Sequence, residues 1–207
     1  MFAREARYYT RSDKGKADKD QYAQAMSSLL EEGKAIEIID GDIDKLEKDS
    51  LLDIMQWVEK RRRGNSKLVV ITILGPQSSG KSTLLNFLTG AKFHVSAGRC
   101  TKGLNAMLLR TEFETSKEIL ILDSEGLFSI ERNDPKYDRR LAIFCFSVSN
   151  FLLINIKGEL NTQVKEVLQV SVYALKKIRE ISNVDISARP HFICRDINTG
   201  TRKDIQI

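Results

Sequence analysis

The sequence predicts an α/β protein with a mostly parallel sheet, helices on both faces and a small helical N-terminal extension. Three observations carry this. From Leu68 onward, short runs rich in β-branched residues alternate with segments whose apolar residues recur every three or four positions. A glycine-rich loop, Gly75 to Ser82, joins the first of these runs to a helix-like stretch. A second apolar run, Ile119 to Leu122, ends on Asp123, and in parallel sheets ligands gather at the carboxyl ends of strands.

Taken in order, residues 1–20 are polar, rich in charge and expected to be mobile. Gln21 to Glu32 predicts a helix with Tyr22, Met26, Leu29 and Leu30 on one side, stopped by Gly33. "AIEIIDGD" alternates briefly and turns at Asp40-Gly41-Asp42, a short strand. Leu51 to Arg63 reads as a helix on Leu51, Leu52, Met55 and Val58. Its terminal Arg61-Arg62-Arg63 complements the helix dipole. Strands are predicted at Leu68–Leu74, Asn105–Thr111, Glu118–Asp123, Phe151–Ile156 and His191–Cys194. Helices are predicted from Ser82, as a buried segment over Arg139–Ser149, and along Val164, Val167, Leu168, Val172, Leu175 and Ile178. The chain shows no internal repeat and no low-complexity tract.

Composition narrows the function classes. The 207 residues suit one domain with a sizeable core. A net charge of +5 accords with an anionic ligand but is too small to imply nucleic acid. Three scattered cysteines, with no CxxC pair, argue against zinc and point to a reducing, cytoplasmic setting. The N-terminus lacks a signal-peptide core. The most apolar stretch, Leu141 to Ile156, is broken by Ser147, Ser149, Asn150 and Asn155, so no direct membrane insertion is expected.

Gly75-Pro76-Gln77-Ser78-Ser79-Gly80-Lys81-Ser82 matches GxxxxGK[ST] in full, strand before and helix after. The glycines let backbone N–H groups converge on phosphate oxygens, and the helix N-terminus adds its positive end. Every residue of the loop, and Thr83 behind it, is a candidate for nucleotide contact. Lys81 is expected at the β- and γ-phosphates and Ser82 on Mg²⁺. The fold class is therefore that of a P-loop NTPase. In "ILILDSEG", Asp123 stands where a magnesium-linked acid is needed, and Gly126 can offer its N–H to a γ-phosphate. Glu125 reads equally as a switch contact or a surface turn. His94 and His191 have no partner at useful spacing.

Spacing alone leaves ATP and GTP open, and no NKxD occurs. "VSAGRCTKG" (95–103), "LDSEGL" (122–127), "INIKGE" (154–159) and "IEIIDGD" (36–42) resemble the GTPase domain of interferon-inducible very large GTPases. That group is akin to guanylate-binding proteins and atlastins in the dynamin superfamily. "GPQSSGKSTLLN" and "RCTKG" are also similar to the root-hair-defective, atlastin-like membrane-fusion GTPases. The resemblance spans about residues 35–200. It implies that Arg195 and Asp196 read guanine, that Thr101 closes over Mg²⁺, and that the domain pairs with a second copy when nucleotide is bound. A carboxylate at Asp196 can accept two hydrogen bonds from the guanine edge, which adenine cannot supply.

Two departures bear on catalysis. Guanylate-binding proteins and atlastins carry an arginine inside the phosphate loop where this chain has Ser78. The loop is more like that of dynamin, so Gln77 and Ser78 become catalytic candidates beside Lys81 and Thr101. Leu127 follows Gly126 where Ras-like proteins place a water-orienting glutamine. Arg99 or a partner's residue is left to supply charge. The resulting expectation is a mobile N-terminus and helix over 1–34 and a GTPase domain over 35–207. Only residues 197–207 follow Asp196, which points to a truncated C-terminal end. The leading function is a magnesium-dependent GTPase that switches dimerisation or assembly. The alternatives are a nucleotide-gated interaction module with little hydrolysis, membrane remodelling of the atlastin-like kind, and an ATPase.

Overall fold

The computed structural model describes residues 15–39, 48–60, 67–95, 101–110, 117–182 and 188–196. The polar start at 1–14, the turn at 40–42, Arg61-Arg62-Arg63, Arg99 and residues 197–207 lie outside them.

The elements run α1 (Gly15–Glu31), β1 (Ile36–Ile39), α2 (Lys48–Lys60), β2 (Lys67–Leu74), α3 (Lys81–Thr89), β3 (Leu104–Arg110), β4 (Lys117–Ser124), α4 (Pro135–Val148), β5 (Phe151–Lys157), α5 (Thr162–Ser182) and β6 (Arg189–Arg195). Six strands form one sheet in the order β1-β3-β4-β2-β5-β6. β2 is parallel to β4 and β5, and β5 to β6, whereas β1–β3 and β3–β4 are antiparallel. The sheet is thus mostly parallel, as the alternating pattern predicts.

Strand pleating sorts the core into two layers. Ile73, Met107 and Ile121 face the side covered by α3, where Leu85, Ala91 and Phe93 close over them. Leu74, Ala106, Leu108, Leu120, Leu122, Leu152 and Ile154 form the opposite layer with residues of α1, α2, α4 and α5. β2, in the middle, reads as an unbroken run of apolar and β-branched residues because helices cover it on both sides. Its carboxyl end falls between those of β4 and β5, which is where the glycine-rich loop emerges.

Local chemistry explains the element ends. Gly33, at φ 70°, closes α1 with a Schellman pair: Lys34 N–H to Leu29 C=O and Gly33 N–H to Leu30 C=O. α1 starts at Gly15, ahead of Gln21 where its apolar spacing begins. α4 starts at Pro135, not Arg139, because Asp134 caps it and accepts from the backbone N–H groups of Lys136 and Tyr137. It buries one face, Tyr137, Leu141, Cys145 and Phe146, while Arg139 and Arg140 are exposed, so it is amphipathic and not buried all round. In α2 the inward stripe is Ile54 and Val58, and Leu52 is exposed. In α5 it is Val164, Val167, Ser171 and Leu175, which leaves Val172 outside. In both helices a long apolar residue off the 3.6-residue stripe faces water.

Candidate nucleotide site

The glycine loop lies between β2 and α3, and three strand ends pack around it. Gly75 passes so close to β5 that an added Cβ would collide with the Asn155 carbonyl oxygen and lie 3.2 Å from its carbon. Only glycine fits there. Ser78 (φ 58°) and Gly80 (φ 76°) are left-handed. Residues of this kind turn successive N–H groups toward one side, the shape of an anion nest.

Lys81 is 6% exposed and folds back so that its Nζ donates to the Pro76 carbonyl at 3.1 Å. Burial pulls its pKa down to about 8, opposed by the nearby carboxylates of Asp123 and Glu125. An ammonium this dry has strong reason to meet an anion. Thr83, on the first turn of α3, is exposed.

Ser82, Thr101 and Asp123 come together from α3, the segment before β3, and the end of β4. Ser82 Oγ donates to Asp123 Oδ2 at 2.6 Å, Thr101 Oγ1 donates to the same oxygen at 3.1 Å, and the two hydroxyls are 3.1 Å apart. Asp123 is 1% exposed and its Oδ1 is buried with no hydrogen-bond partner. Burial raises its pKa against the opposing pull of Ser82, Lys81 and Thr101. Two hydroxyls and one carboxylate with an orphaned oxygen are hard donors of the kind Mg²⁺ takes, so the residues present fit that ion. Among the described residues no group of three or more His, Cys, Asp or Glu could hold a metal.

The turn after β4 is bonded directly to the loop. Gln77 N–H donates to Leu127 C=O at 2.9 Å, and Leu127 N–H to Gly75 C=O at 3.0 Å. Gly126 is pressed against Gln77 by this pairing. The Gln77 side chain donates its amide to Glu131 Oε2 at 3.0 Å, an oxygen that also accepts from Ser129 Oγ. Ser78 is exposed. Glu125 is buried at 1% exposure and its carboxylate accepts the Gly103 N–H at 2.8 Å, so it is a contact between two loops and no surface turn.

Arg195 and Asp196 part company at the end of β6. The Arg195 guanidinium donates to the Ser79 carbonyl and lies over Gly80. Asp196 is exposed and left-handed, at φ 56°. Asn155 stands out in the sequence only as a polar break in an apolar stretch, with no site role. It is fully buried and donates to Ser79 O at 2.8 Å and Ser79 Oγ at 3.1 Å. A polar residue in the apolar strand FLLINIK was its visible signal. Arg132, Glu131 and Tyr137, also missed, carried none.

Fold, loop and the three oxygens beside it define a P-loop domain of the nucleotide-hydrolase class. A family model, the URGCP-like GTPase domain, matches residues 2–204, and the chain belongs to that family. It is 36% identical over 188 residues to the mouse interferon-induced very large GTPase 1, covering 87% of this chain and 8% of that protein. The human interferon-induced very large GTPase 1 is 36% identical over 76% of this chain and 7% of its own length. A SEY1 homolog of Giardia intestinalis is 42% identical over 42% of this chain and 9% of its own. The chain therefore spans under a tenth of the length of these relatives.

Proposed function

We propose that this domain binds GTP with Mg²⁺, hydrolyses it, and uses the cycle to switch pairing with a second copy of itself within a large dynamin-related GTPase. The convergence of Ser82, Thr101 and Asp123 beside the buried Lys81 carries this reading. The left-handed loop backbone and Lys81 hold the phosphates. Ser82, Thr101 and Asp123 hold Mg²⁺, which when bound neutralises charge on the β- and γ-phosphates. Thr101, on the segment before β3, releases when the γ-phosphate leaves. Gly126 offers its N–H on the γ-phosphate side. Asp196 receives the guanine edge, and Arg195, laid over Ser79 and Gly80, fixes that aspartate's position relative to the phosphate loop. A cytoplasmic setting accords with three scattered cysteines. Among the described residues no helix is long and apolar enough to cross a membrane. Assembly and membrane work of atlastin-like type belong to the level of a longer protein.

Titration of the chain and of Lys81→Ala with GTP, GDP and ATP, each with magnesium and with EDTA, tests the reading. Magnesium-dependent GTP binding that Lys81→Ala abolishes is expected. Equal GTP binding by both proteins would remove it.

One observation favours slow turnover by the isolated domain. Ser78 stands where related loops carry an arginine, and the Gln77 amide is already engaged by Glu131 at 3.0 Å. Binding without phosphate release, even at high protein concentration, would establish an interaction module gated by nucleotide.

A further inference from the structure

Glu125, buried beside the proposed magnesium site, takes part in a network that the phosphate chemistry leaves unexplained. Its backbone N–H donates to Gly103 C=O at 2.7 Å, and its Oε2 accepts the Gly103 N–H at 2.8 Å. The two loops are thus tied by a reciprocal pair two residues from Thr101. On its other side the carboxylate meets Arg132: Nε to Oε1 at 3.4 Å and Nη2 to Oε2 at 3.3 Å. The Arg132 guanidinium lies 3.6 Å from the centroid of the Tyr137 ring, and Tyr137 Oη donates to the same Oε2 at 3.4 Å. Side-chain exposure in the ion pair is 11% for Arg132 and 2% for Glu125.

A buried carboxylate keeps its charge only when a cation and hydrogen-bond donors hold it. Arg132 supplies that charge in planar, two-nitrogen contact, and the face of a buried aromatic ring fixes its plane. Arg132 reaches the site through Glu125, whose carboxylate also holds the Gly103 N–H. We propose that Arg132 is a positioning residue for the nucleotide site: through Glu125 and Gly103 it holds Thr101 on Ser82 and Asp123. This inference rests on the magnesium site proposed above and adds the element that pre-forms it. Pre-forming matters because a hydroxyl left free would have to be ordered each time nucleotide binds.

The test is a double-mutant cycle on the full chain between Arg132→Ala and Thr101→Ala. The readout is the gain in affinity for a non-hydrolysable GTP analogue when magnesium is added. Each single variant is expected to cut that gain about tenfold, with the double variant no worse than Thr101→Ala alone. Affinity for the analogue in EDTA should change little in Arg132→Ala. Amide exchange at Gly103 and Leu104 in the nucleotide-free chain should rise in Arg132→Ala. An additive double variant, or unchanged magnesium gain in Arg132→Ala, would overturn the proposal. If Arg132→Ala does not fold, Arg132→Lys replaces it in the same cycle: it keeps the charge but loses the planar contact. No magnesium gain in the unmodified chain would instead sink the site reading, whereas a silent Arg132 variant beside a responsive parent sinks the brace alone.

Discussion

Gly126 lies against Gln77 so closely that a Cβ on the glycine would stand 2.8 Å from the Gln77 backbone nitrogen, and nearer still to its Cα. Real Cβ atoms do not approach backbone in this way. Gly126→Ala must push the turn off the loop and strain the pairs between Gln77, Leu127 and Gly75. The expected cost is about 1–3 kcal/mol of stability with at least a tenfold loss of nucleotide affinity. Gly90→Ala is the comparison: nothing lies within 4 Å, but φ is +70°. It should cost about 1 kcal/mol of stability and leave affinity unchanged. Denaturant unfolding and nucleotide titration of both variants measure this, and equal affinity loss in the two would refute the steric argument.

Asn155→Ala removes both hydrogen bonds to Ser79 inside a fully buried site. About 1–3 kcal/mol of stability should go with them. Asn155→Asp should be worse, since it sets a carboxylate oxygen against the Ser79 carbonyl. Urea unfolding would show the order; an Asp variant as stable as the parent would show that Ser79 does not depend on this amide.

Asp196→Asn probes the base. An amide offers a donor where the guanine edge also donates, so GTP affinity should fall by about tenfold or more while ATP binding stays where it was. Competition of the two nucleotides for one site measures the ratio. A parallel fall for both would show that Asp196 does not read the base.

The two cysteines among the described residues should differ in reactivity. Cys194 is exposed, and Cys145 is buried, with burial pushing its thiol up to about 12. At pH 8 iodoacetamide should label Cys194 and spare Cys145 in the folded chain, as peptide mapping would show. The folded thiol's pKa lies above its unfolded value. Its contribution to stability is therefore complete below the ordinary thiol pKa and declines as pH rises from there toward 12. Equal labelling of both under native conditions would contradict the packing of α4.

The core motifs were legible because each encodes a local backbone demand. Gly80, Lys81 and Ser82 announce a strand-turn-helix anion nest, and Gly33 announces a helix stop that the Schellman bonds then supply. The missed start of α4 was legible too: Asn133-Asp134-Pro135 is a cap followed by a first-turn proline. Less could be read of which apolar residues face inward. Leu52 and Val172 satisfy rough three- and four-residue spacing yet face water, because a degree of rotation is decided only when a helix is laid on its neighbours.

The chain's own order of residues establishes an α/β sheet, the glycine-rich GxxxxGKS loop, the acid at the end of β4 and membership of a GTPase family. Each is announced by spacing within a few residues, which translates directly into local backbone shape. Tertiary structure alone decides that Arg195 reaches Ser79 across 116 positions, that Asn155 reaches it across 76, and that Glu125 fastens the loop bearing Thr101 to the turn bearing Gly126. Such partners leave no periodic trace, because burial selects them by the charge or hydrogen bond that must be satisfied once the strands have met.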